Sequence, residues 1–218
     1  MKYFTKDWYD EMQVLGFLTF HETREEWEEE LAYFEEEGID YKEIGRRDLE
    51  EMRPDLFKFL PESFHPYIRN GTINAGFPPQ ELRDMAKQWE AECEARMEML
   101  GDDYSRHYEV IKQELPAGAI QLMEQSLHGA KVLSVEQPSD DVLLVKLDCS
   151  GGFHYFTDIQ LTFTGVRETD IPAGFEGAWW LYNEIYLEDG GFDLHVLFDS
   201  PMVEVKIIAN DIKIEVLE

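Results

Sequence analysis

The spacing of hydrophobic residues changes near residue 130, and this change predicts two regions. Before it, apolar residues recur every three or four positions, as in helices that bury one face. After it, apolar and polar residues alternate, as in strands. We therefore expect an α+β protein in which a mostly helical part, residues 1–130, packs on an antiparallel β part, residues 131–218.

The first well-marked helix is predicted in residues 23–38, TREEWEEELAYFEEEG. Thr23 stands three positions before Glu26, the spacing of a capping box, and Gly38 is a typical residue to end the helix. Glutamates occupy most of its circumference. Those at residues 35–37 oppose the helix dipole, which suggests that these acids serve something besides helix stability.

The longest apolar stripe predicts a helix over residues 78–100, with Cys93 on its buried face. A separate helix is expected to start near Asp103. Shorter helices are predicted around residues 5–14 and 40–52.

The second region contains about seven short segments rich in β-branched and aromatic residues, separated by PSDD, SGG, DGG, DSP and AND. Consecutive strands joined by such tight turns pair antiparallel. The pattern leaves three arrangements open, which are a small sandwich, a strongly curved sheet and an open barrel.

The segment AWWLYNEIYLEDGGFDLHVLFD, residues 178–199, predicts a β-hairpin that turns at Asp189-Gly190. Alternation away from this turn divides its side chains between two faces. We expect one face to lie in the core, with Trp179 directed inward beside Leu181, Ile185, Leu187, Phe192, Leu194, Val196 and Phe198.

The opposite face of this hairpin is a mixed aromatic and acidic surface, and it is the candidate binding site. It is predicted to contain Trp180, Tyr182, Glu184, Tyr186, Asp193 and His195, with Glu184 directly across from His195. Three interpretations stay open. The helical part covers this face, or the face binds a partner, or Glu184 and His195 are catalytic or bind a metal.

The net charge of the chain limits the kinds of partner that it can bind. The chain has 47 acidic and 19 basic residues, which gives a net charge of −28. Such a charge disfavours direct binding to nucleic acids and to anionic lipids, and it favours basic proteins and cations. The aromatic content of 13% indicates a globular protein rather than an acidic disordered chain.

Other sequence features disfavour several classes of site. Two distant cysteines, Cys93 and Cys149, are typical of a reducing compartment, and no signal peptide or membrane span is recognisable. We expect a cytoplasmic protein. No metal-ligand spacing, phosphate-binding loop or nucleophile elbow occurs, so the sequence predicts no catalytic residue, no metal site and no cofactor.

Three stretches carry a family resemblance, namely MKYFTKDWYDEMQ, SLHGAKV and WWLYNEIYLEDGGFDLHVLF. They resemble an uncharacterised family of spore-forming Gram-positive bacteria, the domain of unknown function DUF4085. The resemblance implies a bacterial cytoplasmic protein and brings no activity. The β part is also similar, in architecture and charge, to small acidic immunity proteins that neutralise bacterial toxins by binding them.

These observations predict a non-enzymatic, acidic protein-binding module, similar to an immunity or inhibitor protein, that recognises a basic protein partner. One alternative is a small-molecule or metal-dependent enzyme with a cleft around Glu184 and His195. Another is a DNA mimic whose carboxylates imitate the spacing of phosphates. The sequence predicts neither the identity of a partner nor an oligomeric state.

Overall fold

The computed structural model describes residues 1–172 and 174–217, and the chain divides into two compact units. Unit 2 is Asp7–Met99, while unit 1 combines Met1–Lys6 with the chain from Leu100 onward. Unit 1 therefore contains helical residues as well as the strands. The change from helices to strands lies between residues 124 and 131, close to the change in the hydrophobic pattern.

Unit 2 is built from helices around one apolar core. The helices, the last of which continues into unit 1, are α1 Lys6–Phe17, α2 Arg24–Glu36, α3 Tyr41–Phe59, α4 His65–Asn70 and α5 Gln80–Ile111, with a 3-10 turn at Glu62–Phe64. The core includes Leu56, Phe64, Ile68, Ile73, Leu82, Trp89 and Cys93.

The capping box at the start of α2 is confirmed, because Thr23 Oγ1 accepts from the Glu26 N–H at 3.2 Å and Glu26 Oε2 accepts from the Thr23 N–H at 3.2 Å.

Helix α5 is 32 residues long and passes through Gly101 without a break. The separate helix predicted from Asp103 is therefore the second half of α5. A glycine inside a helix costs only about 1 kcal/mol relative to alanine, which the packing on either side can offset. Within the described residues, no helix combines the length and the apolar character needed to cross a bilayer.

Unit 1 contains a single antiparallel sheet of eight strands and helix α6, Ala117–Glu124. The strand order is β4-β7-β6-β5-β1-β2-β3-β8, and the sheet is not closed. The strands are β1 Lys131–Ser139, β2 Val142–Asp148, β3 Asp158–Thr164, β4 Glu168–Asp170, β5 Trp179–Glu188, β6 Gly191–Asp199, β7 Val203–Ala209 and β8 Asp211–Val216. The described strands thus form one open sheet rather than a sandwich of two.

The core of unit 1 lies between this sheet and residues at the end of α5 and in α6. Ile111, Ala119 and Leu122 belong to the same buried cluster as the apolar strand residues. Helix α6 approaches β8 so closely that a Cβ at Gly118 would stand 1.6 Å from the Ile212 carbonyl oxygen. Only glycine allows this contact.

Candidate functional site: the outer face of the β5–β6 hairpin

Strands β5 and β6 pair as the alternation predicted, from the turn as far as Tyr182. Glu184 lies opposite His195 in the confirmed register. Asp189 and Gly190 form the turn, and Gly190 has a φ of 70°, which glycine adopts without steric cost. Side chains on this part of the hairpin therefore take the faces that the sequence assigned to them.

The prediction for the two adjacent tryptophans is wrong. The register shifts between Trp180 and Tyr182, so Leu181 is an extra residue that reverses the two faces beyond it. Trp180 pairs with Phe198, is 3% exposed and lies in the core, whereas Trp179 is 42% exposed. Leu181 is half-buried rather than fully in the core. Trp180 is therefore not part of the candidate binding face.

The core face of the hairpin is otherwise close to the prediction. Its fully buried residues are Ile185, Phe192, Leu194, Val196 and Phe198. Leu187 was also expected in the core, but it is 39% exposed. Proximity to the turn does not explain this exposure, because Phe192, directly opposite Leu187, is fully buried.

We call the five remaining candidates, Tyr182, Glu184, Tyr186, Asp193 and His195, the hairpin outer face. Glu184 is 0% exposed, and its carboxylate accepts four hydrogen bonds. The Lys2 N–H donates to Oε2 at 2.7 Å, and the Tyr3 and Phe4 N–H groups donate to Oε1 at 2.8 and 2.6 Å. The Tyr186 hydroxyl also donates to Oε2. Three successive backbone N–H groups form an anion-binding concavity, and these bonds offset the cost of removing the charge from water.

Aromatic side chains of Tyr3 and Phe4 also pack over the hairpin outer face. The Tyr3 and Phe4 rings lie 5.2 and 5.1 Å from the Tyr104 ring of α5, and Phe4 lies 5.8 Å from Tyr182. The Tyr104 hydroxyl accepts the N–H of Ile185 in β5 at 2.8 Å. The chain itself therefore covers the hairpin outer face, with residues 1–4 as well as with a helix.

His195 takes partners other than Glu184. Its Nδ1 lies 2.8 Å from Glu204 Oε1 in β7, and its Nε2 lies 3.1 Å from Asp193 Oδ2. The Met1 amine donates to Glu204 and lies 3.4 Å from the His195 Nδ1. Although Glu184 and His195 are directly opposed in the register, their hydrogen bonds belong to two separate groups of residues.

The ionisation of this face follows from burial and from these partners. Burial raises the pKa of Tyr186 well above its ordinary value, and the adjacent Glu184 carboxylate raises it further. Burial would also raise the pKa of Glu204, but hydrogen bonds from the Met1 amine and His195 hold it below its ordinary value. Tyr186 therefore stays protonated as a donor, while Glu204 stays ionised as an acceptor.

The arrangement resembles a structural carboxylate more than a reaction centre. Donors from the chain itself occupy both oxygens of Glu184, so no oxygen is presented to a substrate. Across residues 1–172 and 174–217, no group of three or more His, Cys, Asp or Glu side chains is placed to hold a metal ion. Both thiols are buried, and burial raises the pKa of Cys149 to about 11, which disfavours the reactive thiolate.

Sequence reasoning missed the partners that complete this face. The contacts of residues 2–4 with Glu184 use backbone N–H groups, which leave no signature in side-chain type. Tyr104 is 81 positions from Ile185 along the chain, so no local pattern links the two. Glu204 could have been found, because alternation in β7 places it on the face opposite Val203 and Val205.

Comparison with known proteins assigns the chain to a family but indicates no activity for it. No curated protein matches the chain. A family model described as "Protein of unknown function (DUF4085)" matches residues 3–209, which include Tyr3, Phe4 and the whole hairpin. Since the match covers nearly the entire sequence, the chain belongs to the DUF4085 family.

Proposed function

We propose that this protein is a non-enzymatic, acidic binding module that recognises a basic protein partner, as an immunity or inhibitor protein does. The contact surface in this proposal is the exposed side of α2 in unit 2, not the hairpin outer face. The observation that carries the proposal is a set of exposed carboxylates on α2 that form no ion pair with any cation in the described part of the chain.

Helix α2 differs from the other long helices because none of its residues is fully buried. Seven glutamates lie within its bounds and an eighth, Glu37, follows directly. Glu26 caps the helix and Glu30 pairs with His21 at 2.6 Å. In the part of the chain that the structure describes, no ion pair involves the exposed side chains of Glu25, Glu28, Glu29, Glu35, Glu36 and Glu37.

This arrangement costs the free protein stability. Like charges four residues apart, such as Glu25 and Glu29, destabilise a helix by about 0.2–0.5 kcal/mol per pair. Residues 35–37 add negative charge at the end of the helix where the dipole is already negative. A basic partner would neutralise these carboxylates. The repulsion that destabilises the free protein would then be relieved on binding, which favours the complex.

The surface also contains an aromatic residue suited to binding. Tyr33 is 58% exposed on α2, and its helical neighbours at three and four positions are Glu29, Glu30, Glu36 and Glu37. Tyrosine is among the residue types that contribute most to interface energy. Carboxylates around it favour lysine and arginine on the partner and increase the rate of association.

The two alternatives receive less support. The enzyme alternative relied on Glu184 and His195, whose polar atoms bond to neighbours in unit 1. A DNA mimic requires carboxylates at regular intervals along an extended surface, whereas α2 has only 13 residues.

The proposal is tested with a displayed library of random peptides, because no partner has to be known. We expect peptides selected on the full chain to be rich in lysine and arginine, with an apolar residue that contacts Tyr33. Fluorescence anisotropy of a selected peptide should show affinity falling at least tenfold in a Glu29→Gln/Tyr33→Ala/Glu36→Gln variant. The association rate should fall steeply as salt is raised.

A charge-matched control uses Glu51→Gln/Glu94→Gln, which removes two exposed carboxylates of unit 2 outside α2. This variant should retain at least half of the wild-type affinity. Selection of peptides without basic enrichment would contradict the proposal, and so would an equal loss of affinity in the control.

A further inference from the structure

Unit 2 contains a cavity of about 320 Å³ between residues 18–22, which follow α1, and the first three turns of α5. Apolar side chains of Leu18, Phe20 and Ala86 form part of its wall. Its volume is at the lower end of the range of ligand pockets in proteins, so it fits a small molecule. Nothing in the hairpin outer face or in the exposed side of α2 contributes to it.

Arg83 lines this cavity, and neutral groups hold it in place. Its Nη1 donates to the Glu22 carbonyl oxygen at 3.0 Å, and its Nη2 donates to the amide oxygen of Gln80. The guanidinium carbon lies 4.8 Å from the centre of the Phe77 ring. The Nε–H is buried and has no acceptor among the described residues. The arginine is therefore fixed in position by neutral groups, and its charge is not paired with a carboxylate among the described residues.

Lys87 lines the same cavity one helical turn beyond Arg83. It forms no ion pair within residues 1–172 and 174–217. Glu22 and Glu90 also line the cavity, but among the described residues neither carboxylate forms an ion pair with Arg83 or Lys87. In a chain with 47 acidic and 19 basic residues, two neighbouring cations that pair with none of the described carboxylates are unexpected.

We propose that this cavity binds a small organic carboxylate with a compact apolar group. The Arg83 guanidinium and the Lys87 ammonium supply positive charge for the carboxylate, and the pairing is charge-assisted. The first turn of α5, where Gln80 lines the cavity, adds favourable dipole potential for an anion. Leu18, Phe20 and Ala86 contact the apolar group. This site is independent of the basic-partner surface on α2.

The test uses backbone amide chemical shifts of the isotopically labelled full chain during titration with benzoate and with its neutral analogue, benzamide. Benzoate should give saturable shifts at residues 18–22 and 80–90, and benzamide should not. Arg83→Gln should weaken benzoate binding at least tenfold. Lys87→Gln should weaken it severalfold, and because Lys87 is exposed this second variant does not depend on how the core tolerates Arg83→Gln.

The matched control is Arg53→Gln, which removes one exposed cation of unit 2 outside this cavity and should leave benzoate affinity unchanged. Equal binding of benzamide would contradict the proposal, because the carboxylate would then contribute nothing. The absence of saturable shifts at the cavity would also overturn it. Inorganic phosphate that binds as tightly as benzoate would refute the assignment to an organic carboxylate.

Discussion

Glu184 in β5 and the glutamates of α2 are the same side chain in opposite situations. Glu184 is fully buried and accepts four hydrogen bonds from the chain itself. Glu29 and Glu36 are exposed and take part in no ion pair within the described residues. Net charge alone therefore does not identify a binding surface, because some carboxylates, such as Glu184, are bonded within the fold.

The largest expected effect comes from removing the buried carboxylate. Glu184→Ala leaves three backbone N–H groups and the Tyr186 hydroxyl without their acceptor, so we expect a loss of about 3–5 kcal/mol in the free energy of unfolding. Urea denaturation measures this loss. Glu29→Ala on α2 is the control and should change stability by less than about 0.5 kcal/mol. Similar losses of stability in both variants would show that Glu184 contributes no more to the fold than an exposed glutamate of α2.

A smaller change tests one bond of the same carboxylate. Tyr186→Phe removes the hydroxyl that donates to Glu184 while keeping the ring, and we expect a loss of about 1.5–3 kcal/mol. Tyr33→Phe makes the same chemical change on the exposed side of α2 and should be nearly neutral. Thermal or urea unfolding of the two variants side by side gives the comparison. A neutral Tyr186→Phe would mean that the bond to Glu184 contributes nothing net.

Glu204 should make stability depend on pH in the acidic range. Its folded pKa is depressed below the ordinary value of 4.5, so it stabilises the fold at higher pH. This contribution is present above about pH 4.5 and is lost as pH falls through the folded pKa. We expect the stability difference between wild type and Glu204→Gln to shrink over that range, and modestly, because the side chain is 45% exposed. A difference that stays constant with pH would show that the Met1 amine and His195 do not favour ionised Glu204.

The smallest expected effect has the opposite sign. Glu36→Gln removes a negative charge from the C-terminal end of α2, and it should stabilise the free protein by about 0.3 kcal/mol. The same substitution should weaken binding of a selected basic peptide. Urea unfolding and anisotropy of one preparation report both quantities. Destabilisation by Glu36→Gln would argue that this carboxylate serves the fold, as Glu184 does.

Much of the fold could be predicted from local patterns. Apolar spacing indicated the helices, alternation indicated the strands, and Asp189-Gly190 fixed the hairpin register as far as Tyr182. The bulge at Leu181 could not be predicted, because two adjacent tryptophans fit either face equally well. Tertiary contacts distinguish the two, among them the packing of Trp180 against Phe198 with ring centres 5.2 Å apart.

The candidate site was less predictable than the fold. The alternation placed Glu184 and His195 side by side correctly, but it could not indicate what covers them. That cover comes from Lys2, Tyr3 and Phe4, whose backbone donors are 180 to 182 residues away from Glu184 along the chain. Contacts of this kind depend on tertiary structure and carry no signal in local sequence.

The contrast between the two regions is tested most directly by labelling carboxyl groups with a carbodiimide and an amine, followed by peptide mass spectrometry. In the native protein, Glu184 should stay unlabelled, while the exposed glutamates of α2 should react readily. Unfolding in urea should make Glu184 as reactive as the others. The claim that Glu184 is buried in the fold would be contradicted if the native protein labelled it as fast as the α2 glutamates. The claim that the α2 glutamates are accessible would be contradicted if they were protected in the free protein.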